Sequence, residues 1–179
     1  MIRAVLPQMQ RRRTGRIVNV ASIGGEVATP HLAPYCASKY ALVGLSDVLR
    51  AEMRQHGIVV TTVCPFLMRT GSFPYATFKG QRTREYTWFG VSDSIPGISM
   101  KAARAARRII EACREGKARV TLGWPGKMAV FLNAVAPGWV AFGQSVAGWL
   151  LPRAVPVDTD GRPGWQLEHE GAPQLSRLA

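Results

Sequence analysis

Acidic residues are scarce in this chain, with 11 Asp and Glu set against 23 Lys and Arg for a formal net charge of +12 over 179 residues. Metal and disulfide ligands are scarcer. Cys36, Cys64 and Cys113 are odd in number, far apart and without Cys-x-x-Cys spacing, which indicates neither a disulfide framework nor a thiolate metal site and points to a reducing cytoplasm. His31, His56 and His169 are equally scattered and form no His-x-x-x-His pair, so no metal is expected. No basic stretch precedes an apolar run and a small-residue cleavage site, so no signal peptide is read, and no internal repeat is found.

What is present is ordinary globular usage: 47% apolar and 19% charged residues, enough for one packed domain or a large part of one. The positive charge concentrates in two helix-like stretches, 3–16 and 101–119. Neither carries interleaved stacking aromatics or a recognisable nucleic-acid module, so they read as solvated faces and no nucleic-acid partner is expected.

Apolar residues at helical spacing, Ile2, Val5, Leu6 and Met9, predict a helix up to Arg13 that stops at Thr14-Gly15. It begins uncapped at the first methionine, which is read as the sign of a missing front half. Residues 16–21, with Ile17, Val18 and Val20, and residues 58–64 predict two buried strands. Between them, residues 33–56 predict a long helix with Tyr40, Val43, Leu45, Val48, Leu49 and Met53 on its apolar face, closed by Gly57. Strand, helix and strand with short connections make a βαβ unit, hence an α/β fold with a parallel sheet. Residues 65–99 lack a sustained period and predict a long, mobile, aromatic-rich loop at the sheet edge where open α/β sheets bind ligands. Its rings Phe73, Tyr75, Phe78, Tyr86, Trp88 and Phe89 give a weak preference for an apolar substrate. Ser99 is expected to cap a helix through Glu115 with Ala105, Ile109, Ile110 and Ala112 inward, and residues 119–123 make one more strand.

Residues 128–152 contain no charge. Met128, Phe131, Leu132, Val135, Trp139, Phe142, Val146 and Trp149 line up as one helical stripe, interrupted by Asn133, Pro137, Gly138, Gln144 and Ser145. Three environments suit it: packing on the domain or a partner subunit, a membrane interface, or a membrane span. The tail, residues 153–179, is polar and expected to be loose.

The chemistry-bearing feature is Ser22, thirteen positions before Tyr35, with Lys39 four beyond the tyrosine on the same helical face. A tyrosine phenol can give or take a proton on a carbonyl or alcohol oxygen if its pKa falls toward neutrality, and a cation one turn away favours the phenolate. Ser22, in a loop at a strand's carboxyl end, can place a hydroxyl where charge develops during reduction. A tyrosine and lysine one turn apart also occur as a plain surface pair, and a serine there can simply cap its loop.

The residues Val18-Asn19-Val20-Ala21-Ser22 followed by Tyr35-x-x-x-Lys39 resemble the short-chain dehydrogenase/reductase family in type, order and spacing, over about residues 1–125. The resemblance implies a partial Rossmann-like, doubly wound parallel sheet over residues 1–125, to which the apolar stripe adds a carboxyl-terminal amphipathic helical extension over residues 126–152. It implies that Ser22 orients the substrate carbonyl, that Tyr35 is the general acid or base, and that Lys39 lowers the tyrosine pKa and binds the nicotinamide ribose. Pro65-Phe66-Leu67-Met68-Arg69-Thr70 is similar to the family's Pro-Gly-x-x-x-Thr segment, placing Pro65 and Thr70 at the cofactor, with Phe66 in place of the glycine. The family's Thr-Gly-x-x-x-Gly-x-Gly turn and Asn-Asn-Ala-Gly segment occur nowhere in the chain.

The resemblance thus implies the catalytic, carboxyl-terminal half of an NAD- or NADP-dependent oxidoreductase interconverting a carbonyl and a secondary alcohol. The chain is expected to be truncated, and its activity in isolation is left open. The alternative is a non-enzymatic, partner-dependent or membrane-surface-associated module derived from that family. Expected partners are a small carbonyl or alcohol substrate and a second copy of the chain, since family members pair through helices like the first and the long one here. Peripheral membrane contact and a cytoplasmic or membrane-associated location complete the reading.

Overall fold

The structure, a computed structural model, describes residues 1–95, 97–152 and 160–178. In chain order its elements are α1 (Ile2–Arg12), β1 (Gly15–Val20), α2 (Ala33–Met53), β2 (Ile58–Pro65), β3 (Met68–Arg69), β4 (Thr77–Phe78) and α3 (Arg82–Ser94). They continue with β5 (Met100–Lys101), α4 (Ala102–Glu115), β6 (Arg119–Leu122), α5 (Trp124–Val135), α6 (Pro137–Leu150), β7 (Arg162–Pro163) and α7 (Gly164–His169). The chain divides into two compact units. One comprises Met1–Phe66 and Ala103–Pro137, the other Leu67–Ala102 and Gly138–Ala179.

The first unit is α/β, built on a parallel sheet in the order β1-β2-β6, with Ile17 opposite Val60 and Val63 opposite Val120. β2 lies between two neighbours, and six of its residues in a row, Val60 to Pro65, are buried, as a central parallel strand requires. Ile17, Ile58 and Val60 meet Leu49 and Met53 of α2, while Ile2, Leu6 and Met9 of α1 pack against the same cluster. α1 ends with Arg13 in the left-handed region at φ 52°, its N–H bonded to the Gln10 carbonyl. Gly57 also needs a positive φ, 69°, and a Cβ there would fall 2.3 Å from the Arg13 carbonyl oxygen, so glycine is required for two reasons. The buried Asn19 amide donates to Ser46 Oγ at 2.7 Å and Ser46 donates on to the Leu42 carbonyl, pinning α2 to β1 through satisfied polar groups.

Several expectations change. On α2 the buried positions are Cys36, Val43, Ser46, Leu49 and Met53, while Tyr40, Leu45 and Val48 are exposed. The helix therefore has two apolar faces, and one of them is bare. Ser99 does not cap α4: its hydroxyl donates back to the Ile95 carbonyl, and the helix starts at Ala102 after the short strand β5. Ala105 and Ala112 are buried on α4, but Ile110 is exposed. The charge-free stretch is two helices broken at Ala136–Pro137, because a proline lacks the donor needed to continue the ladder.

In the second unit residues 65–99 are not a featureless loop. β3 pairs with β5 in parallel, β4 pairs with β7 antiparallel, and the 13-residue helix α3 occupies the middle. The rings expected at a substrate pocket mostly form this unit's core: Phe73, Phe78 and Tyr86 are buried with Leu167 and Ala172, and Phe89 packs against them. Phe78 meets Tyr86 edge-on at 5.4 Å between centroids. Tyr75 and Trp88 remain exposed. The tail is not loose over residues 160–178. Gly164 lets α7 approach so closely that a Cβ would stand 2.5 Å from the Tyr86 ring, and Glu168 accepts from the Tyr86 hydroxyl and from Ser176. Residues 153–159 of the expected tail lie outside the described residues. Among the described residues no helix is long and apolar enough to cross a membrane, and no group of three or more His, Cys, Asp or Glu could hold a metal.

Candidate active site

Ser22, Tyr35 and Lys39 all belong to the first unit, at the carboxyl end of β1 and the first turns of α2. Ser22 opens a single turn of 3₁₀-helix, Ile23–Gly25, and its Oγ accepts the Gly24 N–H at 3.2 Å. That bond uses an acceptor site of the hydroxyl and leaves its hydrogen to donate elsewhere. A Cβ on Gly24 would meet Tyr35 Cε1 at 3.2 Å, so Ser22 and the tyrosine ring flank the same glycine backbone. Lys39 Nζ donates to the Val20 carbonyl at 3.3 Å and stands 5.6 Å from the centre of the Tyr35 ring. The carbonyl at the end of the strand therefore aims the ammonium at the tyrosine. The Tyr35 side chain is 43% exposed, open to a ligand at the sheet's carboxyl edge.

The close approach depends on Gly25 as well, since a Cβ there would lie 2.7 Å from the Lys39 carbonyl oxygen, a backbone atom that cannot step aside. Sequence reasoning passed over this glycine pair. Its signal was two adjacent glycines directly after a strand's terminal serine.

A second group also escaped the sequence reading. The Glu26 side chain, 5% exposed, accepts from Thr121 Oγ1 at 2.9 Å and faces the Arg119 guanidinium at 3.4 Å. Arg119 also bonds Asp47 of α2, and Asn133 of α5 donates to the Glu26 backbone carbonyl at 3.2 Å. The Glu26 carboxylate thus ties the loop after Ser22 to β6 and, through Arg119, to α2, while the Glu26 backbone carbonyl ties it to α5. No local pattern could have signalled it, because its partners are 95 and 107 positions away. Cys64, fully buried at the end of β2, has its thiol pushed up to about 12 by burial and then by the Glu26 carboxylate, with the Ser22 N–H and Arg119 opposing. It is an inert thiol rather than a nucleophile. Burial, with Cys36 and Glu26 adding, also raises the Tyr40 phenol.

Pro65 ends β2, and Phe66, the residue in the glycine's place, is housed by glycines across from it. Cβ atoms on Gly123 and Gly126 would come within 3.2 and 3.1 Å of Phe66 Cβ. Thr70 belongs to the second unit, where its hydroxyl shares a 2.8 Å hydrogen bond with Ser72.

A serine, a tyrosine and a lysine are thus gathered at the carboxyl edge of a parallel α/β sheet. Residues 1–77 match the short chain dehydrogenase family. Dehydrogenase/reductase SDR family member 7B of Bos taurus is 35% identical over 140 residues, which are 77% of this chain and 41% of that protein. The chain thus spans about two fifths of the length of that curated relative. A short-chain dehydrogenase of Streptomyces avermitilis superposes with a TM-score of 0.60 at 29% identity, over 83% of this chain and 57% of the other. A short-chain dehydrogenase of Burkholderia cenocepacia in complex with NADP gives 0.62 at 24% identity, over 80% and 52%, a likeness of fold.

Proposed function

We propose that this chain carries the catalytic half of an NAD(P)-dependent oxidoreductase that interconverts a small carbonyl compound and its secondary alcohol. The meeting of Ser22 and Tyr35 at the Gly24 backbone, with Lys39 Nζ 5.6 Å from the tyrosine ring, carries this reading. In the reduction direction Ser22 donates a hydrogen bond to the carbonyl oxygen, and Tyr35 delivers the proton as the oxygen becomes an alcohol. Lys39, held by Val20, keeps a positive charge beside the phenol and so stabilises the phenolate left behind. When bound, the nicotinamide would supply or accept the hydride.

The residues fit the nicotinamide end of such a cofactor, because the open carboxyl edge of β1 and β2 brings Lys39 and Pro65 to one rim with Tyr35 exposed. The 179 residues hold no glycine-rich turn for the pyrophosphate. Accordingly the isolated chain should hold reduced nicotinamide mononucleotide about as well as NADPH or NADH, and its turnover should be low.

The test is saturation-transfer NMR of the nicotinamide ring together with carbonyl reduction, in the wild type and Tyr35→Phe. Ring contact retained in both proteins with turnover lost in Tyr35→Phe is the expected outcome. Turnover that survives the substitution, or a wild-type chain that never contacts the ring, overturns the assignment. A second copy is the expected partner, seated on the bare face of α2, where Tyr40, Leu45 and Val48 are exposed.

A further inference from the structure

The second unit presents an apolar surface that the proposed chemistry does not use. α6 has no buried residue, and its half-buried positions, Val140, Gln144 and Gly148, recur every four residues on one side. At about 100° per residue the opposite side gathers Trp149, Phe142, Val146, Trp139 and Leu150 within an arc of about 100°. Trp139, Phe142, Trp149 and Leu150 are 64–78% exposed. A helix of this composition is ordinarily covered.

At the carboxyl end of α6 the stripe runs into an open groove of about 600 Å³ shared with α3, where Trp88 and Val91 face Trp149 and Leu150. The groove's polar end is formed by Thr83, Thr87 and Arg84, whose guanidinium donates to Gln81 at 3.1 Å. Arg84 is the one charged side chain lining the groove among the described residues, and no carboxylate lines it. An apolar trough with a cation at its mouth matches an acyl chain joined to an anionic headgroup.

We infer that the α6 stripe and the α3–α6 groove form a docking surface for an anionic lipid membrane, with Trp139, Phe142 and Trp149 in the interfacial layer and Arg84 at a lipid headgroup. Three observations choose a membrane over a protein partner. Residues 128–152 carry no charge, so the stripe lacks the polar rim that a protein interface places around its apolar centre. The tryptophans stand at both ends of the stripe, and tryptophan is the residue whose ring suits the boundary between headgroups and acyl chains. The net charge of +12 attracts an anionic surface from a distance. The 14 residues of α6 extend about 21 Å, short of the roughly 30 Å hydrocarbon thickness, so the helix lies along the surface. The half-buried side, Val140, Gln144 and Gly148, takes the place of a polar helix face.

The test is co-sedimentation of the 179-residue chain with phosphatidylcholine vesicles, with and without phosphatidylserine, at low salt. Tryptophan emission and circular dichroism are recorded alongside. Pelleting with the anionic vesicles and a blue shift in emission are expected. Trp139→Ser/Phe142→Ser should weaken binding at least about tenfold, since each ring withdraws more than a kcal/mol of apolar burial. Arg84→Gln should weaken it several-fold on anionic vesicles and leave the neutral ones unchanged. The inference fails if a folded wild type does not pellet with anionic vesicles, or if the double variant pellets equally well. It fails too if light scattering finds that the stripe is occupied by a second copy, with a dimer that the double variant abolishes.

Discussion

Replacing Glu26 with glutamine tests whether one buried carboxylate holds the serine-bearing loop to the rest of its unit. The substitution keeps the side chain's shape and removes its charge. Three donors converge on the carboxylate: the Thr121 hydroxyl at 2.9 Å, the Arg119 guanidinium at 3.4 Å and the Cys64 thiol. A glutamine amide offers one oxygen and one NH₂, so at least one donor in the buried site faces another donor. Arg119 keeps Asp47, and Asn133 keeps the backbone carbonyl, so neither adds its full value. What is lost is one charge-assisted hydrogen bond and the satisfaction of a buried hydroxyl, together about 2–3 kcal/mol. For a chain of this size that lowers the melting temperature by about 4–12 °C. The comparison is Arg50→Gln, which removes a 2.8 Å pair to Asp47 whose side chains are both over a third exposed, worth about 0–1 kcal/mol. Both are read by circular-dichroism melting at neutral pH. A Glu26→Gln protein that melts with the wild type, or no lower than Arg50→Gln, would refute the argument that this carboxylate is the tie.

Glycine substitutions in and near α2 should behave oppositely. Gly25→Ala drives a Cβ to 2.7 Å from the Lys39 carbonyl oxygen and should cost about 1–3 kcal/mol, whereas Gly44→Ala meets nothing within 4 Å and should stabilise the helix by up to about 1 kcal/mol, both from denaturant midpoints. If a second copy covers the bare face of α2, Leu45→Arg/Val48→Arg should give a monomer in sedimentation velocity; an unchanged sedimentation coefficient would place the contact elsewhere. In the second unit burial opposes ionisation of Glu168, but hydrogen bonds from Ser176 and Tyr86 outweigh it and hold its carboxyl below the ordinary glutamate range. A depressed carboxylate pKa contributes stability that is present above about 4.3 and lost as pH falls through the folded value. Glu168→Gln should therefore reduce stability at neutral pH and flatten its loss on acidification, and an acid limb identical to the wild type would exclude the ion's role.

The sheet and its long helix were legible because both signals are strong: β2 opens as a run of β-branched residues, Ile58 to Val63, and the 3₁₀ turn that follows α2, Arg54–His56, closes at Gly57 with a positive φ. The proximity of Ser22, Tyr35 and Lys39 was legible for a related reason, since they lie within one βαβ connection and their spacing is set locally. Reading failed where burial depends on distant chain. Tyr40, Leu45 and Val48 fit the helical period but point away from the core, and periodicity does not say which of two apolar faces the domain covers. The aromatics of residues 73–89 looked like a pocket because their cover, α7, comes more than 70 residues later in a segment too polar to announce itself. Glu26 gave no signal for the same reason.

The division of the chain sets the order in which the protein can be completed. β2 is the middle strand, yet its second neighbour pairs Arg119 with Thr62, and the second unit's first segment, Leu67–Ala102, lies between them in sequence. A nascent chain therefore exposes an open edge of its most buried strand until that segment, α4 and β6 have been synthesised. The same holds for the aromatic cluster, whose closing helix α7 is near the carboxyl end. Neither unit can be finished before the other has begun, so synthesis of the later segments, rather than either local helix, governs when these residues leave their aggregation-exposed stage.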